Sequence, residues 1–129
     1  MKTVTLSALL LTSTVLFSAA IDGEKLAQEQ CTSCHLVSSN SDKLTNGKMG
    51  GPPMWGVMKK VKQHFDTKEE GIAFIIDYTM EPSKEKMLFP AATREYFGVM
   101  PALKGKITPE EMSAIAKYLY GSTRDASTY

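Results

Sequence analysis

Apolar positions recur at helical spacing in two stretches of the chain, and nowhere do they alternate over a length that suits a strand. In the first stretch Ile72, Ile75, Ile76 and Thr79 share one face, Ala73 and Phe74 widen the apolar band, and Pro82 ends the element. Thr67-Lys68-Glu69-Glu70 precedes it as a capping box, in which a Thr hydroxyl and a Glu carboxylate each satisfy an exposed backbone donor. In the second, Thr108-Pro109-Glu110-Glu111 repeats the box with Pro at the favoured first helical position. Met112, Ile115, Ala116 and Leu119 then line up until Gly121 stops the helix. Residues 22–30 have helix-forming composition, with Asp22 as N-cap and Glu24 in the first turn, and residues 90–97 suit a short helix closed by Gly98. Residues 36–51, rich in Ser, Asn, Gly and Lys, read as loop, ending in the stiff turn Gly50-Gly51-Pro52-Pro53. The pattern predicts an all-α protein of three to five helices.

The amino terminus has a different character. Lys2 is followed by an apolar stretch to Phe17 and the small residues Ser18, Ala19 and Ala20, which predicts a cleaved secretory leader over residues 1–20 and a periplasmic destination. The stretch is short for a bilayer span, and an uncleaved anchor is the alternative. Beyond the leader lie one small domain, residues 21–121, and a polar tail, residues 122–129. The 15 basic and 14 acidic side chains nearly cancel, and no basic excess interleaved with aromatics points to nucleic acid.

Chemistry is concentrated at Cys31-Thr32-Ser33-Cys34-His35, which contains the chain's only two cysteines and one of its two histidines. Two thiols at this spacing can add to both vinyl groups of one haem, leaving the adjacent imidazole beside the iron; this is the c-type attachment pattern. Zinc and dithiol redox chemistry also use Cys-x-x-Cys. A structural zinc wants four ligands where only His64 remains, and a dithiol site belongs in a βαβ setting that the pattern lacks. Export agrees with haem, since attachment consumes thiols that would otherwise form a disulfide.

The mature chain from Gly23 to about Tyr120 resembles the class I c-type cytochromes, all-α proteins of small cytochrome c fold built around one covalently bound haem. Gly23, Ala27 and Cys31 stand where that family has a Gly, an aromatic and the first haem cysteine, each four apart. Gly51-Pro52-Pro53-Met54-Trp55-Gly56 matches its Gly-Pro-x-Leu-x-Gly turn, Gly98-Val99-Met100-Pro101 its Gly-x-Met-Pro, and Tyr118-Leu119 its terminal-helix pair. The resemblance implies haem c with iron, His35 as one axial ligand, and a Pro52 carbonyl that fixes the His35 ring.

The sixth ligand decides between a closed electron-transfer haem and an open, reactive one. Met80, Met87 and Met100 are the candidates. Met100, between the two later helices and shaped by Gly98 and Pro101, is favoured; Met87, at a family-like interval after Pro82, is next, and Met80 last. All three also suit ordinary core filling, and His64, in a lysine-rich stretch, is expected to face solvent. Trp55, Tyr78 and Tyr96 could reach a propionate or simply pack on the porphyrin. The expectation is a periplasmic one-electron carrier between redox proteins, not an enzyme, with lysines such as Lys60, Lys86 and Lys104 either steering an acidic partner or forming an ordinary solvated surface. A subunit fixed on a larger oxidoreductase and a five-coordinate sensor or enzyme are the alternatives.

Overall fold

The computed structural model describes residues 19–37, 44 and 47–122. Residues 1–18 of the leader expected over 1–20, and residues 123–129 of the expected tail, lie outside the described residues, as does much of the loop before Gly50.

Five helices follow in order: α1 (Gly23–Cys31), α2 (Met54–His64), α3 (Lys68–Met80), α4 (Ala91–Phe97) and α5 (Pro109–Ser122). Among the described residues there is no strand, only an isolated bridge between Lys104 and Ile107. Both capping boxes are formed. The Thr67 hydroxyl accepts from Glu70 N–H at 3.2 Å while Glu70 accepts from Thr67 N–H at 3.1 Å, and Thr108 and Glu111 repeat the exchange at 3.2 and 2.8 Å. Asp22 caps α1 by accepting from Lys25 N–H at 3.0 Å. Gly98, at φ 71°, closes α4 in a conformation that costs a glycine little. α5 runs through Gly121 to Ser122, one residue beyond the expected stop, so Ser122 belongs to the helix rather than to the tail.

α2 occupies a stretch in which the hydropathy pattern predicts no helix. Met54, Met58 and Val61, spaced four and three apart, form its buried face, but Lys59, Lys60 and Lys62 interleave with them and make the stretch read as polar.

α1 packs chiefly on α5, α3 on α5, and α2 on α3. Met58, Val61, Met112 and Ile115 are the largest fully buried side chains at this junction. The α1–α5 crossing depends on Gly23. A methyl group built there overlaps the Ala114 carbonyl oxygen, a backbone atom of α5 that cannot rotate away. Ala27, fully buried, lets the helices approach where an aromatic would hold them apart, and Leu26 packs on the core beside it. Gly23→Ala is therefore expected to destabilise the protein by about 1–3 kcal/mol, the usual cost of overpacking. Thermal denaturation should report this as a fall in Tm of roughly 4–8 °C per kcal/mol.

Candidate functional site: an apolar cavity between the Cys-x-x-Cys-His turn and the methionine loop

α1 delivers Cys31 as its last residue, and the chain then turns tightly, with Cys34 N–H and His35 N–H both donating to the Cys31 carbonyl at 3.2 and 2.9 Å. The turn is locked from the other side. Gly50 N–H and Gly51 N–H donate to the Cys34 carbonyl at 2.9 and 3.1 Å, and Met54 N–H donates to the Leu36 carbonyl at 2.8 Å, so the Gly-Gly-Pro-Pro segment is hydrogen-bonded onto the cysteine motif. His35 Nδ1 lies 2.6 Å from the Pro52 carbonyl oxygen. A carbonyl can only accept, so the ring proton is on Nδ1 and the Nε2 lone pair remains for another partner. Burial holds the His35 pKa below its ordinary value, partly opposed by the Pro52 bond, and keeps the ring neutral. Burial, and then the neighbouring Cys34, raise the Cys31 thiol to about 11.

Gly51 is the floor beneath this imidazole. A Cβ at that position would overlap ring atoms Cε1, Nε2 and Nδ1, and a Cβ at Gly50 would press on Cys34 Sγ at 3.0 Å. Gly51→Ala must therefore tilt or displace the ring. Its expected effects are a stability loss of about 1–3 kcal/mol and an altered ligand-field spectrum of the haem protein, read together by thermal melts and by electron paramagnetic resonance of the oxidised form.

Cys31, Cys34 and His35 open onto a cavity of about 440 Å³. Met54, Met58 and Val61 of α2, Ile75 and Tyr78 of α3, and Met112 and Ile115 of α5 line it; Met87 and Met100 line it as well. Met80 does not: it packs partly buried against the core outside the cavity. His64, at the exposed end of α2, stacks edge-on against Phe65 at 4.8 Å and is not at the cavity. Of the three aromatic residues considered for a propionate, Tyr78 lines the cavity, whereas Trp55 and Tyr96 do not, Tyr96 being 81% exposed.

The two cavity methionines are held differently. The Met100 backbone hydrogen-bonds the Tyr78 hydroxyl, whose pKa is raised by burial and partly lowered again by this contact. Leu103 N–H donates to the Thr79 carbonyl at 3.1 Å, and Lys104 forms an ion pair with Glu81. The loop carrying Met100 is thus tied to the carboxyl end of α3 at three successive places. Met87 sits in an irregular turn whose own main-chain bond is long, Met87 N–H to the Lys84 carbonyl at 3.4 Å, and which is tied to α3 by the Lys86 side chain, 2.9 Å from Asp77 and 3.0 Å from the Glu81 carbonyl.

Among the described residues no three His, Cys, Asp or Glu side chains gather to hold a metal ion, so this donor set does not suit zinc. It does suit haem: two thiols and an imidazole at the mouth of an apolar cavity, with thioethers along its wall.

The cytochrome c family model matches residues 20–122, and the chain belongs to that family. Its members hold haem c through thioether bonds to a Cys-x-x-Cys-His motif and typically carry electrons rather than transform substrates. The chain is also similar, at 27% identity over 114 residues, to an uncharacterized protein of Aquifex aeolicus (strain VF5), the alignment covering 81% of this chain and 75% of that one. No solved structure matches it.

Proposed function

We propose that this cytochrome c is a periplasmic one-electron carrier whose iron is bound between His35 Nε2 and the Met100 thioether. The observation that carries the reading is that one apolar cavity is lined both by His35, its Nδ1 already engaged by the Pro52 carbonyl, and by Met100, its loop fastened to α3. The haem supplies reversible one-electron chemistry at iron. The chain's part is to keep that change small. His35 is held in one tautomer and one ring plane by Pro52 and Gly51, so it presents the same donor atom in both oxidation states. Apolar walls exclude water, which disfavours the extra positive charge of the ferric form, and a thioether ligand favours the ferrous form further. Both place the potential on the positive side for a haem protein. The leader-like composition of residues 1–20 supports export, and other redox proteins serve as donor and acceptor.

Visible spectra of the exported holoprotein in both oxidation states, with carbon monoxide added to the reduced form, test this reading. A low-spin spectrum with the weak red band of an iron–thioether bond, no carbon monoxide adduct, and a one-electron redox titration are expected. A high-spin ferrous protein that takes up carbon monoxide would overturn it in favour of a sensor or enzyme.

A further inference from the structure

Four rings stand in a row from the protein surface to the cavity. His64, exposed as the last residue of α2, packs edge-on against Phe65 with ring centroids 4.8 Å apart. Phe65 meets Phe74 at 5.1 Å, and Phe74 lies nearly parallel to Tyr78 at 5.8 Å, with 18° between the planes. Every step is in the range at which aromatic side chains are in contact. Phe74 and Tyr78 line the cavity, whereas His64 and Phe65 do not, so the row has an inner and an outer end.

Local rules build the row. Phe74 and Tyr78 are four apart on α3, which places their rings on one face of the helix. Phe65 leaves α2 in extended conformation, φ −114° and ψ 135°, with its N–H donating to the Val61 carbonyl at 3.0 Å, and the Thr67–Glu70 capping box starts α3 directly afterwards. This reversal turns Phe65 back onto Phe74. Core packing by itself does not call for such a row. His64 is exposed and the other three rings are only half-buried, while the largest fully buried side chains are Met58, Val61, Met112 and Ile115. The inner end is joined to the methionine loop as well, because the Tyr78 hydroxyl hydrogen-bonds the Met100 backbone.

An electron tunnels through packed atoms far more readily than across a gap, and rings in contact leave only short gaps between side chains. We propose that Tyr78, Phe74 and Phe65 form an electron route between the haem cavity and the surface at His64, so that a one-electron redox protein docked at the carboxyl end of α2 exchanges its electron there. The inference rests on the one-electron-carrier reading and gives it a port. Only an electron moves: the partner's redox centre loses the electron that ferric iron gains, or the reverse, and no bond forms or breaks.

The test uses the holoprotein with a pentaammineruthenium group on His64, the chain's one imidazole besides His35. Wild type is first shown to have low-spin haem and a reversible one-electron titration, so that failure of the carrier reading shows before any label is attached. A laser flash then reduces the ruthenium through a soluble photosensitiser, and the haem absorbance follows the electron from ruthenium(II) to ferric iron. A rate independent of protein concentration marks the step as intramolecular. Phe74→Leu and Phe65→Leu, which keep an apolar side chain and remove a ring, are expected to slow this step several-fold, and Phe74→Tyr to keep the wild-type rate. Midpoint potentials and thermal melts of each variant show separately any change in driving force or in packing. A reference protein, Tyr96→His combined with His64→Gln, carries the label on α4, where Tyr96 is exposed and packs against the cavity residue Phe97. Its rate is expected to be indifferent to Phe74→Leu. A rate from His64 that Phe74→Leu leaves unchanged overturns the proposal. So does a Phe74→Leu effect of equal size from both label positions, since the ring would then act by packing around the haem. Should Phe74→Leu yield no holoprotein, Phe65→Leu decides in its place, a slowed rate supporting the route and an unchanged one overturning it.

Discussion

Met100→Ala is expected to leave the haem covalently attached and to convert the reduced protein from one that refuses carbon monoxide into one that binds it. Alanine has no donor atom, and removing a methionine side chain opens space beside the iron where a small molecule can enter. The red band of the iron–thioether bond should disappear, the ferrous form should become high-spin, and the midpoint potential should fall because the thioether no longer favours ferrous iron. Met87→Ala and Met80→Ala provide the contrast. Both remove buried or half-buried volume and are expected to cost stability, up to about 2–5 kcal/mol for a fully packed methionine, while leaving the spectrum low-spin and closed to carbon monoxide. The preference for Met100 over Met87 has a mechanical basis. An axial ligand must hold one position through many redox cycles. The Met100 loop is joined to α3 by a main-chain hydrogen bond, Leu103 N–H to the Thr79 carbonyl, together with the Tyr78 hydroxyl and the Lys104–Glu81 pair, whereas the Met87 turn is joined to α3 through the Lys86 side chain alone, 2.9 Å from Asp77 and 3.0 Å from the Glu81 carbonyl. If Met87→Ala, and not Met100→Ala, opened the haem to carbon monoxide, the ligand would be Met87 and the fastening of the Met100 loop would have a purely structural purpose.

How much of this arrangement is legible in the sequence depends on the range of the interactions involved. Asp22, Thr67, Thr108 and Gly98 mark helix ends because a cap acts over three or four residues, and each forms the bond expected of it. The cysteine motif is legible for the same reason. α2 is hidden because the apolar face of Met54, Met58 and Val61 is interrupted by lysines and preceded by two prolines; the four-and-three spacing is the signal available. The choice among Met80, Met87 and Met100 is a long-range matter. Met80, the least favoured of the three in sequence, lies in the last turn of α3, which directs it to the core instead of the cavity. The departure of Ala27 from the family aromatic is absorbed by close approach at Gly23, which only the α1–α5 packing displays.

The Cys31→Ala/Cys34→Ala double variant is expected to be unable to fold as a stable apoprotein. The buried apolar residues do not form a solid centre: Met54, Met58, Val61, Ile75, Met112 and Ile115 are core residues that also face the cavity, so the core is a shell around about 440 Å³. An apolar cavity that the surrounding helices cannot close costs on the order of 24 cal/mol per Å³, which for this volume is about 10 kcal/mol. The stability of a domain this size is itself only about 5–15 kcal/mol. The two terms are equal within their uncertainty, so the chain without its cofactor should collapse partially or unfold, with weakened far-ultraviolet circular dichroism and no cooperative thermal transition. Haem contributes by filling that volume with apolar ring, and the thioethers contribute by preventing its escape. These two roles separate in one experiment. Free haem added to the double variant should restore much of the helical signal, because His35, Pro52 and the rest of the cavity wall are unchanged, but the restored protein should lose haem on dilution or on addition of a haem-binding acceptor, which the wild type should resist. A double variant that melts cooperatively without haem would show that the helices close the cavity by themselves and that the cofactor is a guest in a finished fold. Helical recovery on adding haem would instead place the cofactor at the centre of the core, with the covalent links serving retention and the packing serving stability.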